Sequence, residues 1–189
     1  MEREIRLQTR RLILANVTLR DCTPAYLSWM NDEEVVGYTE SGYASHTMEQ
    51  LENFVKFQLA RTNSVFLTIR LKENDQHIGN IKVDMIHPYH KTGEYGIMMG
   101  ERSAWGKGYA KEASVALINY CFDQLGLRKI SLTVADGHTT ALELYKKLGF
   151  HVEGILRESF YHLPTQKFMN GIRMGLLKQE WNFGTSSHT

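Results

Sequence analysis

Cysteine is scarce in this 189-residue chain: only Cys22 and Cys121 occur, and neither stands in a metal-type spacing. A disulfide-stapled scaffold and a thiolate metal site are therefore not expected. No signal-peptide pattern precedes the cysteines, so a reduced, cytoplasmic protein is the expectation. Proline is also scarce, at three residues, and the fifteen glycines follow no period, which excludes a collagen-like or low-complexity chain. No apolar run approaches the roughly eighteen residues of a membrane span. An excess of one charge is missing too. Twenty-two Lys and Arg against 21 Asp and Glu leave a net charge of +1. That gives no general pull toward nucleic acid, so any anion site must be local.

What is present suits a packed globule, with 42% hydrophobic and 23% charged residues. A single domain spanning 1–189 is expected, able to bury roughly 70% of its unfolded surface. Its core should run over about 10–181. Residues 1–9 and the tail at 182–189, polar from Gly184 onward, are the expected loose parts.

Arg11 to Leu19 (RLILANVTL) carries β-favouring residues and reads as a first strand. Thr23-Pro24 has the form of an N-cap followed by proline at the first helical position, giving a helix to about Met30. Residues 31–45 lack a period and read as loop with a helical turn. Thr47 and Gln50 fit a capping box, and Leu51, Phe54, Val55 and Leu59 recur behind them at helical spacing. Val65 to Leu71 and His77 to Met85 read as antiparallel strands joined at Lys72 to Gln76. Glu94 to Met99 is a further strand, in which Gly96 suits a bulge. Gly108 to Leu125 is the longest helix, with Ala110, Ser114, Leu117, Ile118, Cys121, Phe122 and Leu125 in one stripe and Gly126 as its stop. Lys129 to Val134 is a strand. Thr140 with Glu143 suits a second capped helix ending at Gly149. Phe150 to Leu156 and Phe168 to Leu177 are the final strands. Hairpins in the first half and β-α-β-α-β in the second give an α/β (α+β mixed) fold, a mixed sheet with helices on both faces.

The chemistry-bearing segment is EYGIMMGERSAWGKGYA, from Glu94 to Ala110. A strand ends, a loop follows, and Gly106 and Gly108 lead into the longest helix. Glycine lets backbone N–H groups approach a ligand closely, and the first helical turn offers unpaired donors at the positive end of the dipole. Together they suit a phosphate or pyrophosphate, with Lys107 and Lys111 adding charge. The Walker pattern fails because Gly108 follows Lys107, and the dinucleotide pattern fails because Lys111 stands where a third glycine is needed. On these residues alone, a tight loop with a capped helix explains the segment as well as an anion site does.

WGKGYA with the following KEA (Lys111 to Ala113) resembles the acetyl-CoA pyrophosphate loop of the GNAT acetyltransferase superfamily. Ala141 to Phe150 (ALELYKKLGF) is similar to that family's A-x-x-L-Y-x-K-x-G-F segment. Thr9 to Leu14 (TRRLIL), Trp29 to Asp32 (WMND), Val152 to Glu158 and Ile172 to Leu177 resemble its RimJ/RimL-type branch. The resemblance covers nearly the whole chain. It implies a mixed sheet splayed open in the middle, with acetyl-CoA in the gap as co-substrate and no metal.

On that resemblance, backbone groups of Ile97, Met98 and Met99 pair with the pantetheine arm as an added strand does. Trp105, Gly106, Lys107, Gly108, Tyr109 and Ala110 receive the diphosphate. His138, Ala141 and Lys147 complete the cofactor-binding set. Trp105 stands where many members carry Gln or Arg, and His138 where an Asn is frequent, so one side-chain contact is lost and another altered.

Tyr145 is the candidate catalytic acid: a phenol can hydrogen-bond the departing thiolate or give it a proton. Without the resemblance it reads as a core tyrosine. Glu94 is the candidate base. At a reference pKa of about 4.3 it needs burial or a relaying water, and the alternative is a solvated strand-end carboxylate. His87 and His90 offer another base or a two-histidine metal pair, but no further ligand of suitable spacing accompanies them. Trp29, Asn31, Tyr38 and Glu40, with Asp32, are candidate walls of the acceptor pocket, against a plain reading as caps and packing.

The expected activity is transfer of an acetyl group to a primary amine: a protein N-terminus, polyamine, amino sugar or other small amine. The WMNDEEV segment resembles members acting on amino sugars. A homodimer is in keeping with the family. The alternatives are a module that holds acyl-CoA without turnover and a nucleotide-phosphate enzyme using Gly106 and Gly108.

Overall fold

The computed structural model describes residues 4–183. Its strands are β1 (Arg6–Gln8), β2 (Leu12–Asn16), β3 (Val65–Leu71), β4 (His77–His87), β5 (Thr92–Met99), β6 (Lys129–Ala135), β7 (His151–His162) and β8 (Lys167–Leu177). Its helices are α1 (Pro24–Met30), α2 (Glu33–Val36), α3 (Met48–Leu59), α4 (Tyr109–Asp123) and α5 (Thr139–Lys147). All the strands join one sheet in the order β1-β2-β3-β4-β5-β6-β8-β7.

Neighbouring strands are antiparallel except β5 and β6, which run parallel and pair only at Thr92–Lys129, Gly93–Ile130 and Glu94–Ser131. Beyond that point each keeps its other neighbour. β5 stays on β4 as far as Met99–Gly79, and β6 stays on β8 as far as Ala135–Gly171. The sheet is therefore splayed along its middle, as the resemblance implies. The first residue past the parting is Tyr95, whose hydroxyl shares a 2.6 Å hydrogen bond with Ser114 of α4. Its ring meets Tyr145 of α5 edge-on at 5.9 Å.

Each face has its own core. On one side α4 lays Ala113, Leu117, Ile118, Cys121 and Phe122 against Leu12, Leu67, Ile81, Ile130 and Leu176 of the sheet. Burying a side chain such as Leu117 contributes about 1.5–3 kcal/mol. On the other side Tyr26, Trp29 and Met30 of α1 and Leu51 and Val55 of α3 pack with Phe66. Burial pushes the Cys121 thiol up to about 12, so it is an inert core group. Among the described residues no helix is long and apolar enough to cross a membrane.

Local signals place most ends. Thr23 accepts from the Tyr26 N–H over Pro24, and Thr47 with Gln50 makes both bonds of its capping box. Other expectations give way. Residues 6–8 are a strand rather than loose, because Ile5 is buried and its N–H donates to Asn16 Oδ1. The strand expected over 11–19 is β2 and ends at Asn16, and a helical turn follows at Leu19–Asp21. The stretch read as loop with a helical turn does hold such a turn, α2, capped by Asp32. α5 starts from His138 with no side-chain cap, so Thr140 and Glu143 form no box. Gly96 is not a bulge, and the register shifts fall at 69–70, 84–87, 152–154 and 156–160. Those on β7 carry it on to His162, well past Leu156. The tail from Gly184 lies outside the described residues.

His77 packs edge-on against Trp29 at 4.9 Å. Its Nε2 faces two acceptors, Gly79 O and Asn80 Oδ1, so that nitrogen carries the proton, while buried Nδ1 has no partner. Burial lowers its pKa below 6.5. The unfolded chain therefore takes up this proton first as pH falls below about 6.5, and stability is lost toward acid. Denaturant midpoints measured from pH 7.5 to 5.5 should fall, and His77→Gln should flatten the slope by up to ~1.4 kcal/mol per pH unit.

Candidate active site

The site begins where β5 loses β6. Side chains of β5 alternate: Ile97 and Met99 join the α4-side core and Met98 the α1-side core. Both faces are thus occupied by side chains, and the backbone edge toward β6 is left open past Glu94. Trp105 braces the end of this edge, its indole N–H donating to Met99 O at 2.8 Å. The loop then turns through Gly106 at φ +72° and Gly108 at φ +80°. A Cβ on Gly106 would meet nothing within 4 Å, so the backbone here faces open space. Gly108 caps α4 with no side chain, and its carbonyl accepts from the Glu112 N–H. The N–H groups of Tyr109, Ala110 and Lys111 consequently have no helical partner, which is the donor set an anion needs.

A clamp absent from the sequence-based expectations holds this mouth. Arg11 Nη1 donates to Lys107 O at 3.0 Å, Nε pairs with Glu112 at 2.7 Å, and the guanidinium lies 4.3 Å from the Tyr109 ring centre. Glu112 also accepts from the Arg11 N–H and from Thr9. Partial burial alone would raise the Glu112 pKa, but these donors outweigh it and hold the carboxyl below its usual range. The available signal was Thr9-Arg10-Arg11 beside a helix carrying Glu112 in its first turn. Nothing in the spacing joined them, because they are about a hundred residues apart. Lys107 is exposed, and Lys111 Nζ sits 5.1 Å from the Phe183 ring.

Tyr145 lies on α5 at 7% exposure, edge-on to Tyr95 and Phe150. Burial pushes its phenol up to about 12. Glu94, the last β5 residue paired with β6, makes an ion pair with Arg173 of β8, and Arg173 also donates to Thr133 at 3.2 Å. Glu94 precedes Tyr95, so the two side chains point to opposite faces of the sheet. Tyr95 shares Tyr145's face, which leaves Glu94 on the other one. Glu94 and Arg173 line a cavity of about 350 Å³ with His90, Arg128 and Lys129. His87 stacks on His90 at 4.0 Å, and its Nδ1 accepts the His90 N–H. Among the described residues no three His, Cys, Asp or Glu side chains group to hold a metal ion.

The remaining candidates separate. Trp29 packs in the α1-side core: it is 5% exposed, and a Cβ on Gly100 would come within 2.0 Å of its ring. Asn31 is spent on structure, donating to Leu27 O and His46 O and accepting the His46 N–H. Glu40 is exposed on the turn after α2. Tyr38 stacks on His138, and burial together with nearby His162 lowers the His138 pKa. Ala141 packs against the α4-side core, and Lys147 is exposed with Glu143 at 3.9 Å.

An open strand edge, a bare helix mouth and a buried phenol are thus assembled around one gap. The family model described as an acetyltransferase (GNAT) domain matches residues 11–151. The chain belongs to the GNAT acetyltransferase family.

This GNAT chain is 32% identical over 178 residues to "Uncharacterized N-acetyltransferase p20" of Bacillus licheniformis, covering 93% of this chain and 97% of that one. It is 31% identical over 103 residues to spermidine N(1)-acetyltransferase of Escherichia coli K12, covering 54% of each. In fold it matches the spermidine N-acetyltransferase of Vibrio cholerae solved with CoA and spermine. The TM-score is 0.81 at 23% identity, over 91% of this chain and 98% of that one. Its relatives are N-acetyltransferases, and the GNAT chain is an acyltransferase.

Replacing Gly108 by Val tests the mouth. A β-branched residue at φ +80° is strained by about 1–2 kcal/mol and covers the adjoining amides. Calorimetric titration should show CoA affinity down by about tenfold or more, and unchanged affinity would remove the diphosphate from this loop.

Proposed function

We propose that this GNAT protein transfers the acetyl group of acetyl-CoA to a primary amine by direct attack in a ternary complex. The observation that carries the reading is the parting of β5 from β6 between Glu94 on one face and Tyr145 on the other. In this proposal the pantetheine arm adds to the bare edge at residues 95–99, and its diphosphate takes the amides of residues 106–110. A backbone N–H of β5 polarises the thioester carbonyl.

The amine lone pair forms the new C–N bond at the thioester carbon. Collapse of the tetrahedral species breaks the C–S bond and expels the thiolate, and the amine nitrogen loses its proton. A thiol pKa is roughly 8.5 by analogy with cysteine. Full proton transfer from a phenol near 12 is then uphill by about 3.5 units, or about 5 kcal/mol. Tyr145 therefore acts mainly by hydrogen-bonding the thiolate as its charge develops; the thiolate then takes a proton from water, and the proton lost by the amine returns to solvent by way of Glu94. Opposite faces suit opposite roles: the amine arrives on the Glu94 side while sulfur departs on the Tyr145 side. With its charge shared by Arg173, Glu94 takes the amine proton through water rather than directly.

The reading covers one domain with its core near 10–181. The RimJ/RimL-type assignment rests on the sequence segments at both ends of the chain. Polyamines stand first among acceptors because a relative identical at 31% is a spermidine acetyltransferase. Protein N-termini, amino sugars and other small amines complete the panel.

Thiol release from acetyl-CoA, measured across that panel, should identify at least one acceptor. CoA binding with no release for any amine would instead indicate a holding module. With a productive acceptor, Tyr145→Phe should lower kcat by roughly 10²-fold or more and leave CoA affinity little changed. Equal losses in both would make the hydroxyl structural. The raised pKa keeps the phenol protonated, so no alkaline loss of kcat from Tyr145 should appear below about pH 11.

A further inference from the structure

Past the three residue pairs that join β5 to β6, residues 33–43 also cross from the first half of the sheet to the second. This strap comprises α2 and the turn after it. Its contacts with the second half are few and specific. The Tyr38 ring lies between two imidazoles, His138 at 4.5 Å and 13° and His162 at 4.4 Å and 21°. Its hydroxyl donates to Gly137 O at 3.2 Å. Tyr43 donates to Tyr161 O at 2.8 Å. A Cβ on Gly137 would press on the Met169 sulfur at 2.8 Å but would meet the Tyr38 ring at an ordinary 3.6 Å. Toward the first half the strap is tied by Arg102, which pairs with Glu34 at 2.9 Å and with the α2 cap Asp32, and by His46 Nε2 at 2.8 Å from Ser41 O; its remaining hold is slight. Val36 is its only fully buried residue, and Glu33, Glu34, Glu40 and Tyr43 are exposed. A segment with so few buried contacts opens at low local cost.

The placement of His138 gives this stack a function. It is the N-cap residue of α5, the helix that carries Tyr145 about two turns further on. It also stands where the cofactor is expected to touch the start of that helix. The strap, in turn, is the segment expected to border the acceptor. One ring of the stack therefore belongs to each substrate's region, and the third, His162, ends β7.

We propose that the His138–Tyr38–His162 stack is a clasp that couples the two substrate sites. Cofactor binding against residues 136–141 firms the stack and closes the strap over the acceptor. This rests on the N-acetyltransferase reading above. Tyr38 is a positioning residue: it acts through His138 on the start of α5. By linkage, a bound acceptor that holds the strap down tightens cofactor binding by the same factor.

Hydrogen–deuterium exchange of the amides in residues 33–43, with and without CoA, tests this in the full chain while calorimetry records CoA binding. CoA should slow exchange there by about tenfold in the wild type, within the usual range of coupling between sites. Tyr38→Phe keeps a ring between the imidazoles and should respond alike. Tyr38→Ala should bind CoA yet show no slowing, and His162→Leu, which removes the outer ring, should lose most of it. CoA binding without slowing in the wild type, or an unchanged response in Tyr38→Ala or in His162→Leu, would overturn the clasp and leave the acetyltransferase reading standing. A wild type that binds no CoA would overturn both.

Discussion

Backbone pairing between β5 and β6 stops at Glu94 and Ser131, and the working parts of this molecule follow from that interruption. A strand edge with unpaired N–H and C=O groups is costly when buried and sticky when exposed. Here the edge is kept open by satisfying everything around it. β4 holds β5 to its end, β8 holds β6, and the Tyr95 ring is fixed by Ser114 and Tyr145 at the point of divergence. The result is a slot with hydrogen-bonding capacity along one wall, suited to an amide-bearing arm.

The glycine-lined mouth of α4 faces a related problem. Glycine provides close approach and left-handed φ, but contributes no side chain to hold its own conformation. Arg11 supplies what the glycines lack. It ties Lys107 O to Glu112 and covers Tyr109, while Trp105 fixes the loop to Met99 O. The same clamp sets the Arg11 charge against that of Glu112, which stays ionised in the first turn and would otherwise oppose an anionic ligand. Rigid support from outside the loop and bare amides within it are complementary requirements.

Elements with strong local signals were readable from the sequence. Thr23-Pro24, the Thr47–Gln50 box and the apolar stripe of α4 place their helices to within a few residues. The strands at Val65 and Lys129 are likewise where their β-branched content puts them. What escaped depends on contacts distant in sequence. β1 exists because Ile5 and Asn16 meet, α5 starts without a side-chain cap, and the extension of β7 depends on bulges that pairing with β8 creates. At the site, the glycine loop and Tyr145 carried recognisable motifs. The Arg11 clamp, the Glu94–Arg173 pair and the ring stack on Tyr38 carried none, since each joins residues separated by 79 positions or more along at least one contact. The packing of the Trp29 ring on Gly100 is another contact distant in sequence that carried no local signal.

A crystal structure of the chain with acetyl-CoA tests the central claim most directly. The account predicts the pantetheine amides hydrogen-bonded to β5 backbone between residues 95 and 99, the diphosphate on the amides of residues 106–110, and the sulfur within reach of the Tyr145 hydroxyl. A slot closed by renewed β5–β6 pairing, or a cofactor seated elsewhere on the molecule, would contradict it.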